Sequence, residues 1–187
     1  MAGNGGQHHE LYGGAMTVML PVNFEDVSQI RQVPDNQEVF SHPSTDQSII
    51  IELLEYQQIT DDLAAKYHFQ EMAGSNEATS FEVTSEEQVS TSEVTMHQCS
   101  SIWLLHGKQM VSKFNEEAKN VLNVNIALFR LPQYTTDVLV TFNDPMQINP
   151  DSSSSTMPTG QRNAWTMMQF KTVICTLNLI DPSLFTS

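Results

Sequence analysis

Basic residues are scarce in this sequence, and scarcest where acids are dense. Only eight of its 187 residues are Lys or Arg, against 22 Asp or Glu. Residues 1–97 hold 16 of those acids but only two bases, Arg31 and Lys66, so this half carries the whole formal net charge of −14. Such a field repels nucleic acid and anionic membrane and speeds encounter with a basic protein face. Acidity also keeps a protein soluble, and composition alone favours that use, because charge asymmetry points only weakly to a partner. No run of 18 apolar residues occurs, which excludes a helical membrane span and direct membrane insertion by that route. The first 14 residues, MAGNGGQHHELYGG, lack the basic and apolar regions of a signal peptide. Two cysteines, Cys99 and Cys175, make no disulfide framework and fit free thiols in cytosol or nucleus.

Catalytic and cofactor motifs are missing too. Gly107-Lys108 resembles the end of a phosphate-binding loop, but Ile102 stands where the first glycine is needed and Gln109 where Ser or Thr would meet magnesium. Neither G-x-G-x-x-G nor G-x-S-x-G occurs. The six histidines show no metal-ligand spacing; His8-His9 lacks a third ligand, and His97 near Cys99 lacks a supporting signature. His68 and His106 read as ordinary structural or surface histidines. No cofactor, metal or catalytic residue is expected.

What is present is 40% apolar, enough for the core of one domain. Residues 1–10 read as a flexible tail, and 11–187 as a single α+β domain with flexible loops near 75–98 and 146–162. Within it, 11–21 bends at Gly13-Gly14 and continues as a strand to Pro21. A short helix is expected over 26–31, then a turn at Pro34-Asp35-Asn36 and a strand over 37–42. A helix opens at Thr60-Asp61-Asp62 and runs to Met72, with Leu63, Tyr67 and a neighbouring Phe69 or Ala64 on one side and Gly74 as its stop. The loop at 75–98 is expected to hold one short strand, 80–83. Strands over 101–106 and 109–113 are expected to meet in a turn at His106-Gly107-Lys108. Residues 115–120 read as a linker or one turn of helix. Residues 121–131 and 135–143 form the strongest antiparallel pair, turned by Pro132-Gln133-Tyr134. The best helix is 162–178, with Phe170, Val173, Ile174 and Leu177 at three-four spacing. Leu184 and Phe185 are expected to pin the tail to the core. Strands and helices in separate blocks predict a mostly antiparallel sheet flanked by helices.

One stretch stands out. Residues 33–55 contain VPDNQEVF and SIIIELLE, and the second run plants Glu52 and Glu55 in apolar sequence. An unpaired buried carboxylate is costly, so both must reach solvent or meet a partner. The three isoleucines favour a strand over a helix. A strand sends Glu52 and Glu55 to opposite faces, whereas a shared contact wants them together, so an end or bulge is expected between them. Surface decoration, a partner contact and an acid–base pair are the readings open to them.

The segments LYGGA (11–15), VPDNQEVF (33–40), DQSIIIELLE (46–55), YHF (67–69), ALFRLPQYTTDVLVTFNDP (127–145) and DPSLF (181–185) together resemble the Ran guanine nucleotide release factor family. Residues 75–98 and 146–162 do not match distinctly. The resemblance implies an antiparallel sheet flanked by helices, similar to the photosystem II subunit P fold. It implies a monomeric, non-enzymatic protein of nucleus and cytoplasm that binds the GTPase Ran, promotes loss of its nucleotide and so modulates nuclear transport. It further implies that Glu52 and Glu55 contact Ran; Asp35 and Glu38 lie in a family-like block and are inferred to join them. A voltage-gated sodium channel, whose trafficking the protein would aid as an adaptor, is the alternative partner.

Overall fold

The computed structural model describes residues 5–112, 119–146 and 163–186. Among the described residues two antiparallel sheets and two α-helices carry the chain. In chain order the strands are β1 (Gln7–Leu11), β2 (Met16–Leu20), β3 (Glu25–Asp26), β4 (Gln37–Ser41), β5 (Ser48–Glu55), β6 (Ser80–Val89), β7 (Ser101–Ser112), β8 (Lys119–Leu131), β9 (Thr136–Met146) and β10 (Asn178–Leu179). Helix α1 (Asp61–Ser75) follows β5, and α2 (Met167–Thr176) follows β9. The larger sheet has the order β3-β4-β5-β9-β8-β7-β6; the smaller is β1-β2-β10. This is the expected α+β class, a mostly antiparallel sheet with flanking helices.

Strand alternation gives the large sheet two buried faces. Ile49, Ile51, Phe129, Val138, Val140 and Phe142 pack under the small sheet and α2 residues Phe170, Val173 and Ile174. Leu105, Val124, Ile126, Leu128 and Leu139 point the other way, onto α1 residues Ala64, Ala65 and Phe69. The β8–β9 hairpin supplies both faces. Its turn, Pro132–Tyr134, closes as expected, with Thr135 in the left-handed region at φ 51°. Phe185 stacks on Tyr134 at 5.2 Å, pinning the tail.

Several expectations are corrected. Residues 7–10 are not a tail: they pair with β2 from Gln7↔Leu20 onward, and His9 sits edge-on between Phe24 and Phe40. The 26–31 helix is a single tight turn, Val27–Gln29, capped by Asp26 Oδ1, because Asp26 already pairs with Phe40 across the sheet. The polar stretch 75–98 is no flexible loop; it contains the ten-residue edge strand β6, whose exposure on both faces explains its loop-like composition. Helix α2 starts later than 162, at a capping box built by Thr166 and Gln169. On α1 the residues expected on one side are divided: Leu63 and Tyr67 are exposed, while Ala64 and Phe69 go inside with Ala65 and His68. The linker expected at 115–120 and the loop near 146–162 fall mostly outside the described residues; within them, Lys119 and Asn120 open β8 and Met146 ends β9.

The turn expected at 106–108 is absent, and β7 runs straight through it. Gly107 is there for a different reason. The Phe69 ring lies over it, and a Cβ at this position would come 2.5 Å from Cζ of that ring and 2.8 Å from the Glu82 carbonyl oxygen. The glycine is the seat for the aromatic that fixes α1 on the sheet. Gly107→Ala is therefore expected to destabilise the protein by about 1–3 kcal/mol through overpacking, read as a lower urea midpoint at unchanged slope.

Candidate partner-binding site

The site begins with a charge inside the sheet. Arg130 and Asp137 lie directly opposite each other on β8 and β9, on the face covered by α1, and neither is exposed. Arg130 Nη1 donates to Asp137 Oδ2 at 3.1 Å. Its Nη2 donates to the carbonyls of Gln57 (2.8 Å) and Ile59 (2.9 Å), and its Nε to Asp61 Oδ1 (3.1 Å). Tyr56 stacks under the guanidinium at 3.9 Å. Asp137 Oδ2 also accepts from the Gln57 N–H (3.2 Å) and from His68 Nε2 (2.8 Å). A carboxylate only accepts, so that His68 nitrogen carries its hydrogen. One buried arginine thus fixes the connection from β5 into α1 and the first residue of the helix.

Held in this way, α1 leaves a groove beside it on the sheet. Its volume is about 320 Å³, and it is lined by Ile50, Glu52 and Leu54 of β5, by Thr141 and Asn143 of β9, and by His68, Glu71 and Met72 of α1, among others. Glu52 is half-buried. Its Oε2 accepts from Gln37 Nε2 at 2.9 Å, a neutral donor directly across the β4–β5 pair. Among the described residues no Lys or Arg bridges it. Burial pushes its carboxyl above the usual glutamate value; the Gln37 hydrogen bond and the charge of His68 pull it partly back.

The predicted site residues are placed unequally. Glu52 faces the groove. Glu55, three positions on, is exposed on the opposite face. The bulge or strand end expected between them is not there: β5 pairs with β9 without interruption from Ser48 to Glu55. What stops after Glu52 is only the pairing with β4. Leu53 is instead held by Asn36, whose carbonyl accepts from its N–H (2.9 Å) and whose Nδ2 donates to its carbonyl (3.1 Å). The exposed Asp35 therefore lies beside the stretch that links Glu52 and Glu55, so one end of β5 gathers three acids. Glu38 is tied down: its Oε1 accepts from the Tyr12 N–H at 2.8 Å, and the Tyr12 hydroxyl reaches the Ile51 carbonyl at 2.9 Å. Burial, and after it Glu38 and Glu52, raises the Tyr12 phenol, which stays a donor.

Other candidates lose their chemistry. Cys99 is buried and donates to the Met96 carbonyl, and burial pushes its thiol up to about 11, against nucleophilic use. Among the described residues no group of three His, Cys, Asp or Glu could hold a metal, and no helix is long and apolar enough to cross a membrane. Sequence reasoning missed Glu71 and the Arg130–Asp137–His68 network. A signal for the network was present: an arginine inside the apolar run ALFRL, matched by Asp137 at the mirror position across the turn.

The profile described as Ran-interacting Mog1 protein matches residues 9–145. The chain belongs to the Mog1 family. Similar relatives named Ran guanine nucleotide release factor include one from Danio rerio, 56% identical over 94% of this chain and 97% of its own length. One from Homo sapiens is 42% identical over 94% of each. The crystal structure of the Saccharomyces cerevisiae Ran-binding protein Mog1p superposes with a TM-score of 0.73 at 25% identity, covering 97% of this chain and 98% of that one. In this Mog1-family chain the resembling blocks interlock: Tyr12 of LYGGA is gripped by Glu38 and Asn36 of the VPDNQEVF block and by Ile51 of the isoleucine run.

Two outcomes are expected. Arg130→Ala leaves Asp137 buried with its main counter-charge gone and should cost about 3–5 kcal/mol by chemical denaturation. Glu52→Gln should raise the melting temperature at pH 7. The folded-state value of this carboxyl lies above its unfolded one, so the ionised form opposes folding at neutral pH, and that penalty fades as pH falls through the folded value. The gain should vanish in melts run below the ordinary glutamate range.

Proposed function

We propose that the chain binds Ran and promotes release of its guanine nucleotide by binding alone, with no bond made or broken. One observation carries this most: Glu52 is half-buried, burial raises its carboxyl, and its hydrogen-bond partner is the neutral Gln37. A lysine or arginine from a partner would supply the missing counter-charge. Asp35, and Glu55 on the opposite face of β5, are exposed at the same end of the strand and would be reached by a partner that covers that end, and Glu38 holds the LYGGA turn against β5. The surplus of acid over base in residues 1–97 steers a basic face towards them.

A release factor shifts an equilibrium only by differential affinity, so it must bind nucleotide-free Ran more tightly than nucleotide-bound Ran. Acids suit that task by drawing away basic groups that otherwise hold nucleotide or a switch segment in place. The setting this implies is nuclear transport, with the protein in nucleus and cytoplasm.

The test is release of a fluorescent guanine nucleotide from Ran, with and without the protein. Acceleration is expected for the native chain, and loss of acceleration and of Ran affinity for Glu52→Lys with Glu55→Lys, at unchanged circular dichroism. Native Ran affinity in that variant would sink the site assignment. Binding without acceleration would turn the reading to an adaptor, the role in which a sodium channel was expected as partner.

A further inference from the structure

Helix α1, which walls the acidic groove, also carries exposed apolar side chains that the charge argument leaves unused. Leu63 is 51% exposed and Tyr67 37% exposed on α1, although both are large apolar side chains on a helix that otherwise buries its inner face well. They stand four apart, so they are neighbours on the helix surface. The next position in that row is Glu71, which lines the groove opposite Glu52. The Tyr67 ring rests edge-on at 5.4 Å against His68, the histidine that also lines the groove and bonds to Asp137. Ile59, just before the helix, is also exposed, at 38%. An apolar row thus leads into a pair of carboxylates, on an element locked in place by Arg130.

We infer that α1 and the groove form one composite docking surface, whose occupant is a basic and apolar segment of Ran. Its cationic side chain enters between Glu52 and Glu71, and a neighbouring apolar side chain packs on Leu63 and Tyr67. This rests on the reading that the protein binds Ran through Glu52. Charge selects the occupant: a second copy of this chain, at −14, would bring acids to acids. The division of labour follows from physical chemistry. The carboxylates supply rate, register and salt sensitivity, while the apolar row beside them supplies desolvated contact, the arrangement in which a few residues dominate binding.

The two halves have different thermodynamic signatures, and calorimetric titration of Ran at several salt concentrations and temperatures separates them. Leu63→Ala with Tyr67→Ala should weaken binding roughly tenfold. It should also make the heat-capacity change of binding less negative and leave the salt dependence as in the native chain. Glu52→Gln should do the opposite, flattening the salt dependence and sparing the heat capacity. Both alanines are good helix formers at exposed positions, so the melting temperature should hold. Native affinity and heat capacity in the double alanine variant would overturn the inference while leaving the Ran reading intact. A lowered melting temperature with native affinity would also overturn it, showing that the row is used within the chain. So would native self-association, measured by sedimentation, that the double variant abolishes. Failure of the native chain to bind Ran would remove both the Ran reading and this one.

Discussion

Arg130 carries a permanent positive charge with no exposed surface, and five groups answer it: two carboxylates, two backbone carbonyls and the face of a tyrosine. Two of those carbonyls lie in the connection from β5 to α1, and one carboxylate is the first residue of α1 itself. The guanidinium therefore specifies where the helix begins, and Phe69 on Gly107 specifies where its middle rests. Buried ion pairs are often no more stabilising than apolar replacements, but they are demanding about geometry. Here that demand fixes the width of the groove beside α1, and with it the surroundings of Glu52.

Inside this frame Glu52 sits at odds with folding. Its carboxylate loses water, is compensated only in part by the Gln37 amide and by His68 across the groove, and so opposes the folded state when ionised. A site suited to a cation has this character: a carboxylate that burial disfavours in the free protein gains a counter-charge in the complex. The contrast with Asp137 is instructive. Asp137 is more deeply buried, yet its Oδ2 oxygen takes three donors, among them Arg130 and His68. One carboxylate is held by the fold, and the other is left for a partner.

The sequence made the strands of the sheet's centre legible because their alternation is strong: the isoleucine run and the hairpin around Pro132–Tyr134 fall where expected. It misled where side chains answer to tertiary neighbours. Gly107 looked like a turn because glycine usually marks one, but it serves an aromatic 38 positions away in the chain, and no local window contains both. Strand β6 looked like loop because an edge strand exposed on both faces keeps polar residues. Leu63 and Tyr67 share a side with Phe69 or Ala64 by spacing alone, and only the packed helix shows the first two facing out and the others in. Of the candidate site, Glu52 was readable as charge in an apolar run. Its separation from Glu55 was foreseen as strand geometry, but the remedy was not a bulge. The chain keeps the strand regular and brings Asp35 to the same end through Asn36.

The central claim is that Glu52 is held short of a counter-charge in the free protein and gains one from Ran. The most direct measurement is a carbon-13 NMR titration of the Glu52 side-chain carboxyl, in the free chain and in its complex with Ran. The account predicts a midpoint above the ordinary glutamate value when free, and a clear fall on complex formation. A midpoint that is the same in both states, or that rises in the complex, would contradict it.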